Sequence, residues 1–79
     1  HIQKPKQDLV RELLVILEDD NTYYEVRILA SSALLQLIEK ADKAKELRQE
    51  AQKVIEKIKQ TPQPPIFERA LQSCRECLA

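Results

Sequence analysis

From residue 8 onward, apolar residues recur at intervals of three and four, the spacing that lines one face of an α-helix. Four segments show this pattern. In the first, Asp8 is a candidate N-cap. Leu9, Val10, Leu13, Leu14, Ile16 and Leu17 then make a broad apolar face, with Arg11, Glu12, Glu18 and Asp19 opposite and Val15 stranded on the polar side. This helix is expected to end near residues 19–21, where Asp and Asn side chains compete for backbone hydrogen bonds and favour a turn.

The second segment, residues 22–40, is the one the others answer to. Thr22 and Glu25 stand in the T-x-x-E spacing of a capping box, in which each side chain accepts from the other residue's N–H. No Gly or Pro interrupts the run from Thr22 to Lys40. Val26, Ala30, Ala33, Leu34 and Leu37 fall on one face, with Leu29 at its margin, and form the expected core-facing series. Tyr24, Ile28, Ser31, Leu35 and Ile38 form a second strip. A helix that is apolar on more than one side has to be covered by neighbours. The second strip is open to two readings: it packs on another helix of the same protein, or it is a partner interface.

Residues 42–60 carry Ala44, Leu47, Ala51, Val54 and Ile58 at steps of three and four, with Ile55 widening the stripe among Lys, Glu, Arg and Gln. The apolar phase nearly matches across residues 40–43, so one continuous helix is physically allowed. A break with Asp42 as N-cap is expected, because an unbroken helix would leave too little chain to cover its apolar positions. The TPQPP run at 61–65 is a firm stop, and Pro65 suits the first turn of a last helix bearing Ile66, Phe67, Ala70, Leu71, Cys74 and Leu78. Residues 1–7 are polar and expected to be loosely ordered. The pattern predicts an all-α fold of four helices, arranged as two antiparallel αα-hairpins, residues 8–40 and 42–79, in a single helical domain over 1–79.

An offset of 41 residues carries Leu13, Leu14 and Leu17 onto Val54, Ile55 and Ile58, and Val26, Ala30, Ala33 and Leu37 onto Phe67, Leu71, Cys74 and Leu78. A period near forty built from two helices is that of an α-solenoid. The residues Asp20, Val26-Arg27, Ala30, Ala33-Leu34 and Leu37 resemble the HEAT-repeat pattern, with an Asp in the turn and a Val-Arg pair opening the second helix. The resemblance implies a structural turn pair of Asp20 and Arg27, since in that family these residues commonly help tie the turns of adjacent repeats. The second unit departs from the pattern. Thr61 stands for Asp20, Glu68 for Arg27 and Arg75 for Leu34, as in a degenerate or terminal unit. A solenoid generally needs three or more repeats to stand alone, so flanking repeats or self-association are expected.

Composition narrows the function. Thirteen basic and thirteen acidic residues cancel, so a general affinity for nucleic acid is not favoured. Lys40, Lys43, Lys53, Lys57 and Lys59 are the residues a local basic patch would use. No apolar run reaches membrane-spanning length, and HIQKPKQ has no apolar core of a signal peptide. Met is absent, which suggests a piece of a longer protein, and Gly is absent, which removes any glycine-rich phosphate loop. Cys74 and Cys77 are expected to be reduced thiols, Cys74 in the core and Cys77 at its border. A redox motif belongs at a helix N-terminus, and a zinc site needs ligands beyond His1. Free thiols point to a reducing, cytoplasmic setting. One histidine and turn-bound carboxylates such as Asp19 and Asp20 offer no acid–base constellation. No catalytic, cofactor or metal residues are assigned.

The expected function is therefore a non-enzymatic helical-repeat interaction or scaffold module, part of a larger regulatory protein. Its partner would be another protein or flanking repeats. Two alternatives are a nucleic-acid-binding HEAT-like module and a self-associating four-helix bundle or coiled coil driven by residues 44–58.

Overall fold

A computed structural model describes residues 5–41 and 44–79. These form four helices, α1 (Lys6–Glu18), α2 (Tyr24–Glu39), α3 (Ala44–Lys59) and α4 (Pro65–Leu78), with no strand among the described residues. The fold is all-α. The break between α2 and α3 is present, while the expected cap Asp42 lies outside the described residues.

The helix ends differ from two expectations. α1 starts at Lys6, with Pro5 preceding it and the Pro5 carbonyl accepting from the N–H groups of Asp8 (3.0 Å) and Leu9 (3.2 Å). Asp8 thus sits inside the first turn, where its charge favours the positive end of the helix, and is not the cap. The Thr22–Glu25 capping box does not form. The Thr22 hydroxyl donates to the Asp19 carboxylate at 2.7 Å, and the same carboxylate accepts the Asn21 N–H at 3.0 Å. Asp19 thus builds an Asx turn that lowers its pKa below the ordinary value, through the Thr22 hydroxyl first and the Asn21 N–H second. With Thr22 engaged backward, α2 begins only after Tyr23, whose carbonyl accepts from Val26 and Arg27.

The connection between α3 and α4 is built without glycine. Pro65 is the first residue of α4, where its missing N–H costs no helical bond. The C-terminal end of α3 is finished by side chains: the Gln63 amide donates to the Ile58 carbonyl at 3.2 Å, and the Thr61 hydroxyl reaches the same carbonyl at 3.3 Å. Gln52 of α3 donates to the Leu78 carbonyl at 3.0 Å, tying α3 to the end of α4.

One core draws on all four helices: Val10, Leu14 and Leu17 from α1; Leu34 and Ile38 from α2; Leu47, Ala51, Ile55 and Ile58 from α3; Phe67, Leu71, Cys74 and Leu78 from α4. Each helix shows the i, i+3/i+4 stripe. On α3 the stripe centres on Ile55 and leaves Val54 half-buried, and on α4 Ile66 points outward. Val15 is exposed, as its stranded position predicts.

Cross-links fix how the helices run. Arg11 pairs with Glu50 at 3.3 Å and Glu18 with Lys57 at 2.6 Å, both 39 residues apart, so α1 and α3 run in the same direction. Tyr24 meets Phe67, and Ser31 meets Cys74 43 residues further on, so α2 and α4 share a direction as well. The Lys6 ammonium at the start of α1 reaches the Lys40 carbonyl just past the end of α2, while Arg27 near the start of α2 reaches the Leu17 carbonyl near the end of α1. The exposed ion pairs mark this register but add little stability.

Leu34 is fully buried and belongs to the core, so Leu34→Ala is expected to cost about 2–4 kcal/mol through lost contacts and a residual cavity. Val15→Ala, at an exposed position, is expected to change stability by less than about 0.5 kcal/mol. Chemical denaturation of the two variants checks both values.

Candidate functional site

Two features stand apart from ordinary core packing. The first is Arg27. Its side chain is only 1 % exposed, which is exceptional for a charged group. Its Nε donates to the Leu17 carbonyl at 2.9 Å. That carbonyl lies in the last turn of α1, where acceptors lack helical partners. The guanidinium carbon lies 4.3 Å from the centre of the Phe67 ring and 5.3 Å from that of Tyr24, within cation–π range of both. The two rings are themselves 5.3 Å apart and tilted at 52°. Asp20, the partner that the repeat resemblance implies for Arg27, lies with Oδ1 3.9 Å from Nη2, and its side chain is 93 % exposed. This is a long contact, and Nη2 has no hydrogen-bond partner among the described residues. Arg27 is held mainly by a carbonyl and two aromatic faces.

The second feature is the distribution of the two strips on α2. Of the strip Tyr24, Ile28, Ser31, Leu35 and Ile38, Ser31 and Ile38 are buried, and Ile28 and Leu35 are half-buried against the core. Tyr24 lies on Phe67, and the Cys74 thiol approaches the Ser31 carbonyl. Of the two readings open to this strip, the geometry matches packing on other helices of the same chain. The strip expected to face the core is covered to a similar degree, with two positions buried and two half-buried, and it opens at Val26 and the marginal Leu29. Ala30 and Leu34 are buried, but Val26 is 43 % exposed, Leu29 69 % exposed, and Ala33 and Leu37 only half-buried.

Val26, Leu29, Ala30 and Ala33 of α2 combine with Leu13 and Ile16 of α1 to line a shallow groove of about 240 Å³ whose walls are apolar throughout. The sequence signals for it are Leu29 at the margin of its face and the excess breadth of the α1 face. What hides it is Arg27: a charged residue counts as outward-facing, which turns the helical wheel with Arg27 to solvent and the aliphatic strip inward. Ile66 is also exposed, but it stands singly on α4.

The surface of the α3–α4 pair is different in kind. The recess on the far side of α4 is lined by Lys59, Pro65, Glu68, Arg69, Gln72, Ser73 and Glu76. Of the lysines a basic patch would use, two are already matched: Lys57 with Glu18, and Lys59 with the Gln72 carbonyl oxygen at 2.6 Å. Lys43 lies outside the described residues. Cys74 is buried and Cys77 exposed, both as free thiols. Burial pushes the Cys74 thiol up to about 11, with Cys77 adding to the shift, so it is neither a nucleophile nor a ready metal ligand at neutral pH. Among the described residues no three His, Cys, Asp or Glu side chains are grouped to hold a metal ion, and no helix is long and apolar enough to cross a membrane.

No protein-family model matches the chain, and no curated protein or solved structure shows significant similarity to it.

Arg27→Ala removes a donor to Leu17 and the filling between two rings, and is expected to cost about 3 kcal/mol in denaturant unfolding. Arg27→Lys is expected to lose most of the same stability, because a compact ammonium cannot sit over the Phe67 ring and reach the Leu17 carbonyl at once as the extended guanidinium does. Asp20→Asn is expected to leave the melt almost unchanged; a large loss there would mean that the 3.9 Å ion pair, not the stacking, holds Arg27. Thiol labelling supplies an independent check on burial. A neutral alkylating reagent at about neutral pH is expected to modify Cys77 rapidly and Cys74 only after denaturant is added, as read by mass spectrometry of the peptides.

Proposed function

We propose that this chain is a non-enzymatic helical-repeat module of the HEAT or armadillo kind that works by presenting a helix face to another protein. The observation that carries the reading is the uncovered apolar groove between α1 and α2. Contiguous exposed apolar surface of this sort marks interaction sites. Here it lies along two helices that otherwise bury their faces well.

The repeat arrangement is supported by the direction and spacing of contacts. α1 pairs with α3 at a separation of 39, and the Ser31–Cys74 contact between α2 and α4 is at 43. These values bracket the offset of 41 at which the apolar positions of the two halves coincide. Two antiparallel hairpins stacked in the same sense account for both. Under that offset, the α4 residues that pack on α2, Phe67, Leu71 and Cys74, correspond to Val26, Ala30 and Ala33. The open strip of α2 is thus the counterpart of a strip that α4 uses for packing. Repeats expose such faces where the stack is meant to be joined. Free thiols at Cys74 and Cys77 fit a reducing, cytoplasmic setting.

Leu29→Glu and Leu35→Glu separate this reading from one in which the groove is incidental. Leu29→Glu is expected to melt like the parent, within about 0.5 kcal/mol, and to lose binding of an apolar fluorescent dye that the folded parent binds. Leu35→Glu, on the half-buried strip, is expected to cost about 2 kcal/mol or more. A folded parent that binds no dye, or dye binding indifferent to Leu29→Glu, would remove the groove as the functional face.

A further inference from the structure

We infer that the occupant of the α1–α2 groove is a second copy of this chain, docked face to face with the two grooves running in opposite directions. The inference rests on the groove being the interaction face and adds the identity of the partner.

Head-to-tail stacking is disfavoured by the other end of the molecule. An open-ended stack would set the apolar groove of one copy against the outer surface of α4 in the next. That surface carries Lys59, Glu68, Arg69, Gln72 and Glu76. The offset of 41 shows the same thing by residue: Ile28, Ser31 and Leu35, the strip on which α4 packs, become Arg69, Gln72 and Glu76. The α3–α4 pair therefore accepts no further unit of the same kind. An apolar groove meeting that surface would desolvate charged groups without partners, which is strongly unfavourable. The surface that suits the groove is another groove, which gives a closed two-fold pair.

Charge selects the orientation. The loop end of the groove carries Asp19 and Asp20, and Glu25 stands in the first turn of α2. The other end carries Lys6 and Lys40, brought together where the Lys6 ammonium meets the Lys40 carbonyl, with Asp8 and Glu39 nearby on the same two helices. All seven side chains belong to exposed residues. A two-fold axis that lies in the interface and crosses the grooves at right angles places the acidic end of each copy over the Lys6–Lys40 end of the other. A two-fold axis along the groove would set acid on acid and base on base. Complementary rims fix orientation in just this way. The same antiparallel placement faces the projecting Leu29 of one copy with the floor of Ala30 and Ala33 in the other, where small side chains admit a close helix.

Sedimentation equilibrium of the whole chain, with the melt of each variant recorded alongside, tests the inference. The parent is expected to be a dimer that dissociates more readily as salt rises, and Leu29→Glu a monomer with the parent's melt. The double variant Lys6→Glu/Lys40→Glu and the single variant Glu25→Lys are each expected to weaken self-association about tenfold, and an equimolar mixture of the two to recover it as a heterodimer. These positions are exposed, so the charge variants remain informative even where Leu29→Glu disturbs folding. A parent that stays monomeric at all concentrations while still binding the apolar dye would overturn the second copy and leave the groove as a site for a different protein. A dimer untouched by Leu29→Glu would overturn the groove itself as the interface. A groove-dependent dimer indifferent to every charge reversal would overturn the opposed orientation.

Discussion

A single buried cation decides how this molecule is put together. Arg27 cannot be taken out of water cheaply: the effective penalty for burying one charge is several kcal/mol even after relaxation. What offsets it is specific. A hydrogen bond from a charged donor to the Leu17 carbonyl contributes about 1.5–3 kcal/mol, and a desolvated stack on an aromatic face about 2 kcal/mol or more. Those contributions exist in one geometry only. They require the end of α1, the start of α2 and the start of α4 to meet at one point, with the guanidinium carbon over the Phe67 ring. Aliphatic packing tolerates a small rotation or slide of a helix, whereas this contact does not. The register of the two halves is set by it, and the cross-links Arg11–Glu50 and Glu18–Lys57 lie where that register puts them.

Turn construction reinforces the same constraint. The chain has no glycine, and no positive φ occurs among the described residues. The α1–α2 loop is instead organised by the Asp19 carboxylate, which gathers the Asn21 N–H and the Thr22 hydroxyl. The α3–α4 loop is organised by prolines and by Gln63. Both loops are held by side-chain hydrogen bonds, and each delivers its helix with a defined rotation. At the first loop that rotation turns Arg27 inward.

Four helices and their approximate ends are legible in the sequence because they depend on local signals: the three-four spacing, the Asp-rich stop after Glu18 and the proline run after Thr61. Three of the helices also reveal their buried faces, since α1, α3 and α4 each have one apolar side to offer. α2 does not. Its apolar residues are spread around the wheel, and period alone cannot choose between two strips when both are long enough to be core. The deciding information is non-local, because it lies in Phe67 and Tyr24 providing a place for Arg27. The capping box fails for a related reason. The Thr22 hydroxyl has two sets of partners within reach, and the Asp19 side chain outcompetes the helix beyond it.

The choice made at Arg27 also bears on what the surface is for. Rotating α2 so that Val26, Leu29 and Ala33 faced the core would return a charge to water, but it would also turn Ile28, Leu35 and Ile38 away from the core. Burial alone does not choose between the two strips, since covering a large aliphatic side chain contributes roughly 1.5–3 kcal/mol on either one. The chain keeps a charge inside and Leu29 largely outside. Departures of this kind, where local rules are broken and a specific contact holds the exception in place, tend to fall at functional sites. The departure has a simple account if the outward strip is covered when the protein works. Val26 and Leu29 are then the residues that association would cover, and the inward placement of Arg27 leaves them on the outside.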